Sequence, residues 1–121
     1  MMGTSPTESR RSMWLWILQR VSGVALVVLL LIHLLVLHYI NPHEAIVISE
    51  VRIRLQGVLF VIVDNLLLGF VVFHAFNGVR NVAYDYTPDL RKRAAISMFL
   101  FTVALFLFIF AVWAFLPFML G

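Results

Sequence analysis

Three long apolar runs set the plan of this chain. They cover roughly residues 15–40, 55–80 and 94–119, and each exceeds the about 20 residues that an α-helix needs to cross a bilayer. The pattern predicts an all-α membrane protein with three transmembrane helices. Little chain is left over, so residues 1–121 are expected to form a single anchor domain without a separate soluble part or an obvious linker. The first run follows arginines in the manner of a signal peptide. It is too long for one and no small-residue cleavage site closes it, so it is read as a retained helix. Asn41-Pro42-His43-Glu44 reads as a helix start, with Asn as the cap, Pro at the first position and Glu at the third. Residues 42–54 are therefore expected to form an interfacial helix or a long lead into helix two. The second connection, expected from Asn81 to Leu90, contains Thr87-Pro88-Asp89, which breaks the chain before helix three. That last helix has no charged residue between Ala94 and Gly121 and carries phenylalanines all round it, the signature of a packing and lipid-facing helix.

Composition sharpens this picture. The chain is 63% hydrophobic and 12% charged, with a mean hydropathy of +1.01. Soluble domains sit near half apolar and about a quarter charged. A three-helix protein of this size has little internal core, so it is expected to work as part of a larger complex. Cysteine is absent, which excludes disulfides, iron–sulfur ligation and thiol catalysis. The net charge of +3 comes from residues that flank helices and do not form a patch, so no nucleic-acid partner is expected.

The basic residues also orient the chain. Arg10, Arg11, Arg20, Arg80, Arg91, Lys92 and Arg93 fall at one end of the predicted helices, whereas only Arg52 and Arg54 lie in the first connection. The positive-inside rule then puts the N-terminus in the cytoplasm and the C-terminus outside. Trp14 and Trp16 occupy inner anchor positions, and Trp113 an outer one.

Three ionisable residues lie deep within the apolar spans, His33, Asp64 and His74, and at membrane depth such residues are functional by default. His74 lies six residues from Arg80, roughly 9 Å in at about 1.5 Å per helical residue. His33 lies thirteen residues from Arg20, roughly 20 Å in. A histidine in a setting of Leu, Val and Phe needs a partner, and a haem iron is the most economical one. The two depths are too different for both rings to hold one iron. If both bind haem, they serve two haems, each with its second axial ligand from elsewhere, most simply a partner subunit. Gly78, four residues after His74 and on its face, leaves room for a macrocycle edge. Ser22, eleven residues before His33 and almost on its face, has Gly23 beside it. Close packing of helices accounts for small residues as well, and for the glycine alone it is the better explanation.

Asp64 is sixteen residues from Arg80, roughly 24 Å from the inner side and close to the level of His33. It is a candidate proton relay on the outer side. It is also open to a hydrogen bond from a histidine, a pair with a partner's arginine, or a position near enough to the outer surface to reach water. His38, about 140° round the helix from His33, and His43, in the connection, read as surface groups.

Two segments carry a family resemblance. Trp16-Ile17-Leu18-Gln19-Arg20-Val21-Ser22-Gly23 resembles the start of the first helix in membrane anchor subunits of succinate dehydrogenase and fumarate reductase. His74-Ala75-Phe76-Asn77-Gly78-Val79-Arg80, followed by Asp85-Tyr86, resembles their second-helix motif. The resemblance implies that His74 is an axial ligand of haem b and that Arg20, Asp85 and Tyr86, with Trp16 nearby, lie at a quinone pocket close to the iron–sulfur subunit. Members with two haems carry a first-helix histidine ten residues after the glycine, which is the spacing from Gly23 to His33. Two haems would in turn imply menaquinone. The partners implied are a second anchor subunit, an iron–sulfur subunit and a flavoprotein, in a cytoplasmic (inner) membrane of prokaryotic type. The Asp-Tyr pair and the short length resemble the smaller of the family's two anchors, while Arg-Val-Ser-Gly and Gly-Val-Arg resemble the larger. The family's frequent serine four residues before the arginine is Trp16 here, and the second histidine of the larger anchor's motif is Asn81.

The function that the resemblance implies is electron transfer and not chemistry on succinate, since nothing in the chain could bind a dicarboxylate and remove hydride. The chain would be non-catalytic for succinate itself within a succinate dehydrogenase (quinone) complex. A cytochrome b subunit of another oxidoreductase, or a haem-free structural or transport subunit in which His33, Asp64 and His74 form a polar relay, stay open on the residues alone.

Overall fold

The structure, a computed structural model, describes residues 6–36, 48–49, 53 and 56–120. It is all-helical: α1 is Pro6–Leu35, α2 is Val58–Asp85 and α3 is Leu90–Met119. All three are long and apolar enough to cross a membrane. The expected helix start at Asn41-Pro42-His43-Glu44 lies outside the described residues, and so does almost all of the expected interfacial segment.

The helices differ from the apolar runs at their ends, for one physical reason. Hydropathy marks the stretch that fits hydrocarbon, whereas a helix continues until something breaks it. α1 starts at Pro6 and so takes in the charged residues ahead of its apolar run; proline suits a first helical position because its missing N–H would have had no partner there. Its 30 residues span about 45 Å, longer than the about 30 Å hydrocarbon core. α2 continues through Arg80 to Asp85, because nothing before Pro88 obstructs it. The expected connection from Asn81 to Leu90 therefore shrinks to the four residues Tyr86 to Asp89. α3 opens at Leu90 and not at 94, with Asp89 as its N-cap: Oδ1 accepts from the Arg91 N–H at 2.8 Å.

α2 lies in the middle. It packs on α1 along one side and on α3 along the other, and among the described residues α1 and α3 do not pack on each other. Burial is inverted relative to a water-soluble protein. The two buried residues among those described are polar, Ser22 at 1% exposure and Asn77 at 6%, while valines and phenylalanines such as Val24, Val27, Phe99 and Phe101 point outward. In hydrocarbon a leucine gains little by leaving the lipid, whereas a polar group must find a partner inside the protein. The polar residues therefore decide how α1 and α2 meet.

Candidate functional site

Leu15 with Asn77, Ser22 with His74, and His33 with Asp64 meet in order along antiparallel α1 and α2. His74 stands at the first of two polar levels. Its Nδ1 is 3.0 Å from Ser22 Oγ, and Ser22 Oγ also donates to the Gln19 carbonyl at 3.0 Å. A serine hydroxyl has one hydrogen. Once that hydrogen is on the Gln19 carbonyl, the oxygen can only accept from the ring, so Nδ1 carries the proton and Nε2 holds the lone pair. The neighbouring carboxamides fall into line. Asn77 Nδ2 donates to Gln19 Oε1 at 2.7 Å and to the Leu15 carbonyl at 3.3 Å. Gln19 Nε2 then donates to the His74 carbonyl at 3.1 Å and lies 3.5 Å from His74 Nε2, the outer limit of a hydrogen bond.

Two glycines make this level fit. A Cβ on Gly23 would lie 3.2 Å from His74 Cε1, and one on Gly78 would lie 3.3 Å from Gln19 Nε2. The space beside Gly78 is thus filled by the Gln19 side chain, and both glycines serve close approach of α1 and α2.

The second level lies ten to eleven residues further along each helix, about 15 Å away. Here His33 Nδ1 and Asp64 Oδ1 are 2.8 Å apart, both side chains 27% exposed. Of the readings open for Asp64, the structure shows the hydrogen bond with a histidine. With Nδ1–H donating to the carboxyl oxygen, Nε2 is left without a partner among the described residues. The pair opens on a groove walled by Ile32, Val36, Leu59, Phe60 and Val63.

The remaining candidates lie at the His74 end. The Arg20 guanidinium stacks on the Trp16 ring at 3.7 Å, one turn away on the exposed side of α1. Asp85 ends α2 and Tyr86 caps it, both exposed. Among the described residues no ion pair joins Arg20 to Asp85. The α2–α3 turn is closed by residues that the sequence did not single out together. Arg80 donates to Ser97 Oγ at 2.9 Å, and Tyr84 Oη and Ser97 Oγ are hydrogen-bonded. Arg93 donates to the carbonyls of Tyr84, at 2.9 Å, and Thr87.

A transmembrane chain with this pair of levels can be compared with known proteins. The model of the succinate dehydrogenase/fumarate reductase transmembrane subunit family matches residues 5–114. The chain belongs to that family. A curated relative, the succinate dehydrogenase hydrophobic membrane anchor subunit of Archaeoglobus fulgidus, is 35% identical over 82 residues, which cover 68% of this chain and 69% of the relative. No solved structure matches. As a succinate dehydrogenase/fumarate reductase membrane subunit, the chain associates with other subunits of that complex, and its exposed apolar faces suit such company as well as lipid.

Within this family member, Gln19 and Asn77 are the site residues that sequence reasoning missed. Both sit inside the quoted motifs, and both are carboxamides within apolar helices. That is a signal in itself, because a buried amide must be paired.

Proposed function

We propose that this chain is the membrane anchor that ligates haem b and helps form the quinone site of a succinate:quinone oxidoreductase, complex II. The observation that carries this reading is the state of His74. An axial histidine must offer an unprotonated ring nitrogen while its other N–H is held by the protein. Ser22 holds Nδ1–H, and Nε2 keeps its lone pair with only a 3.5 Å amide contact. The residues present therefore fit the group. His33 fits in the same way: Asp64 holds Nδ1, Nε2 is free, and apolar walls flank the ring. We assign His74 to an inner haem and His33 to an outer one.

When bound, haem b supplies one-electron transfer between the iron–sulfur subunit and quinone. The chain's own residues bind and orient. Arg20 and Trp16 on α1 and Asp85 and Tyr86 at the end of α2 lie at the His74 end of the helix pair, and we assign them to the quinone site, with the carboxylate and phenol handling protons. The seven basic residues at this end make it the cytoplasmic side, facing the iron–sulfur subunit and flavoprotein. A second anchor would supply the remaining haem ligands, and an outer haem would favour menaquinone as the quinone.

The test is a reduced-minus-oxidised visible spectrum of the purified complex. Expected are b-type bands, lost at the inner site in His74→Ala and at the outer site in His33→Ala. A second reading, a haem-free polar relay, has the short His33–Asp64 pair in its favour; absence of any b-type band in the intact complex would establish it over the first.

A further inference from the structure

The two histidines are anchored across the same helix pair, but by different chemistry. His74 on α2 gives its Nδ1–H to a neutral hydroxyl on α1, Ser22. His33 on α1 gives its Nδ1–H to a carboxylate on α2, Asp64. We propose that Asp64 is a positioning residue that holds His33 Nδ1 across α1 and α2, presents Nε2 to the apolar groove as an iron ligand, and tunes that ligand through its charge. The proposal rests on the reading of His33 as the outer haem ligand.

Three observations support it. First, a carboxylate inside a span is costly and persists only with a partner; His33 Nδ1, 2.8 Å away, is that partner. Second, His33 comes from the opposite helix, so the contact fixes the ring relative to both walls of the groove. A rotation about its side-chain bonds that aimed Nε2 elsewhere would give up the carboxylate. Third, the groove is apolar apart from these two residues. An anionic acceptor on Nδ1–H pushes electron density toward Nε2 and makes the ring a stronger donor than a hydroxyl does. Stronger donation favours the more positive oxidation state of a bound iron, so loss of the charge must move the midpoint potential of that haem upward.

The experiment is a potentiometric titration of the purified complex, followed by visible and electron paramagnetic resonance spectra, for wild type, Asp64→Asn and Asp64→Glu. Asp64→Asn keeps an acceptor oxygen and removes the charge. Its outer haem is expected at a higher midpoint potential with altered resonance, and the inner haem unmoved, which also reports correct assembly. Asp64→Glu keeps the charge and should retain the wild-type midpoint. Asp64→Leu, lacking any acceptor, is expected to lower affinity for the outer haem about 10–100-fold. A wild-type complex that holds one haem, unaffected by His33→Ala, overturns both this proposal and the outer-ligand reading. Two haems in wild type, with neither midpoint moved by Asp64→Asn, or with Glu moved as far as Asn, overturn the role of Asp64 alone.

Discussion

Gly23 and His74 lie so close that one added carbon on the glycine would stand 3.2 Å from Cε1 of the ring. The ring has little freedom to retreat, because Ser22 holds its Nδ1 from the adjacent position on α1. Close approach of the two helices and the setting of the histidine are therefore one feature.

Gly23→Ala tests that coupling. The variant must separate the helices or tilt the ring, at the about 1–3 kcal/mol typical of overpacking. The expected result is a lower melting temperature of the complex and a changed spectrum for the haem we assign to His74, with the one we assign to His33 intact. Gly69→Ala serves as the control, since a Cβ there meets Phe108 only at an ordinary 3.8 Å.

Ser22→Ala removes the acceptor of the His74 Nδ1–H with almost no change in volume at a position 1% exposed. Interhelical hydrogen bonds in membranes are worth about 0.6 kcal/mol, with a maximum near 1.7. We expect a stability loss in that range. We also expect a ring freer to rotate about its side-chain bonds, read as broadened resonance of the haem we assign to His74. Threonine, which retains the hydroxyl, should restore the narrow signal if its extra methyl is tolerated.

Gln19 and Asn77 should behave as one unit. Asn77 donates to Gln19 at 2.7 Å, and Gln19 donates to the His74 backbone at 3.1 Å. A double-mutant cycle with Gln19→Ala and Asn77→Ala is expected to show a coupling of about 0.5 kcal/mol or more. Additive losses in thermal unfolding would mean that the carboxamides act separately.

Arg93→Ala should loosen the α2–α3 turn. One guanidinium serves the carbonyls of Tyr84 and Thr87, and Tyr84 Oη donates back to the Arg93 carbonyl at 3.0 Å. Hydrogen bonds to a charged group are worth about 1.5–3 kcal/mol, and this part-buried site should fall at the lower end. Faster proteolysis between Tyr86 and Asp89 is the readout. Arg93→Lys should rescue poorly, because a single ammonium does not reproduce the planar fork.

The chain's lack of cysteine allows a clean test of topology. Ser9→Cys and Asp89→Cys should react with an impermeant thiol reagent from the same side of sealed vesicles, the cytoplasmic side. Leu120→Cys should react from the other. Labelling of residues 9 and 89 from opposite sides would contradict the antiparallel arrangement of α1 and α2 and the short turn into α3.

Composition and hydropathy by themselves determined that this is a three-span membrane protein, because about 20 apolar residues in a row have few other stable states. Their position within the apolar runs also singled out His33, Asp64 and His74, since polar groups stand out against hydrocarbon. The helix ends did not follow from hydropathy: Arg10, Arg11 and Arg80 leave the lipid without leaving the helix.

Only the tertiary structure decided who partners whom. Gln19 and His74 are 55 positions apart, and Gln19 and Asn77 are 58 apart. Neither pairing can be read from one helix, because it depends on the register at which α1 and α2 lock. That register is set by glycines that admit a ring and a carboxamide, and by the need of every polar group inside the membrane to find a partner. The same packing gave His74 a neutral anchor and His33 an anionic one, a difference that no residue spacing encodes.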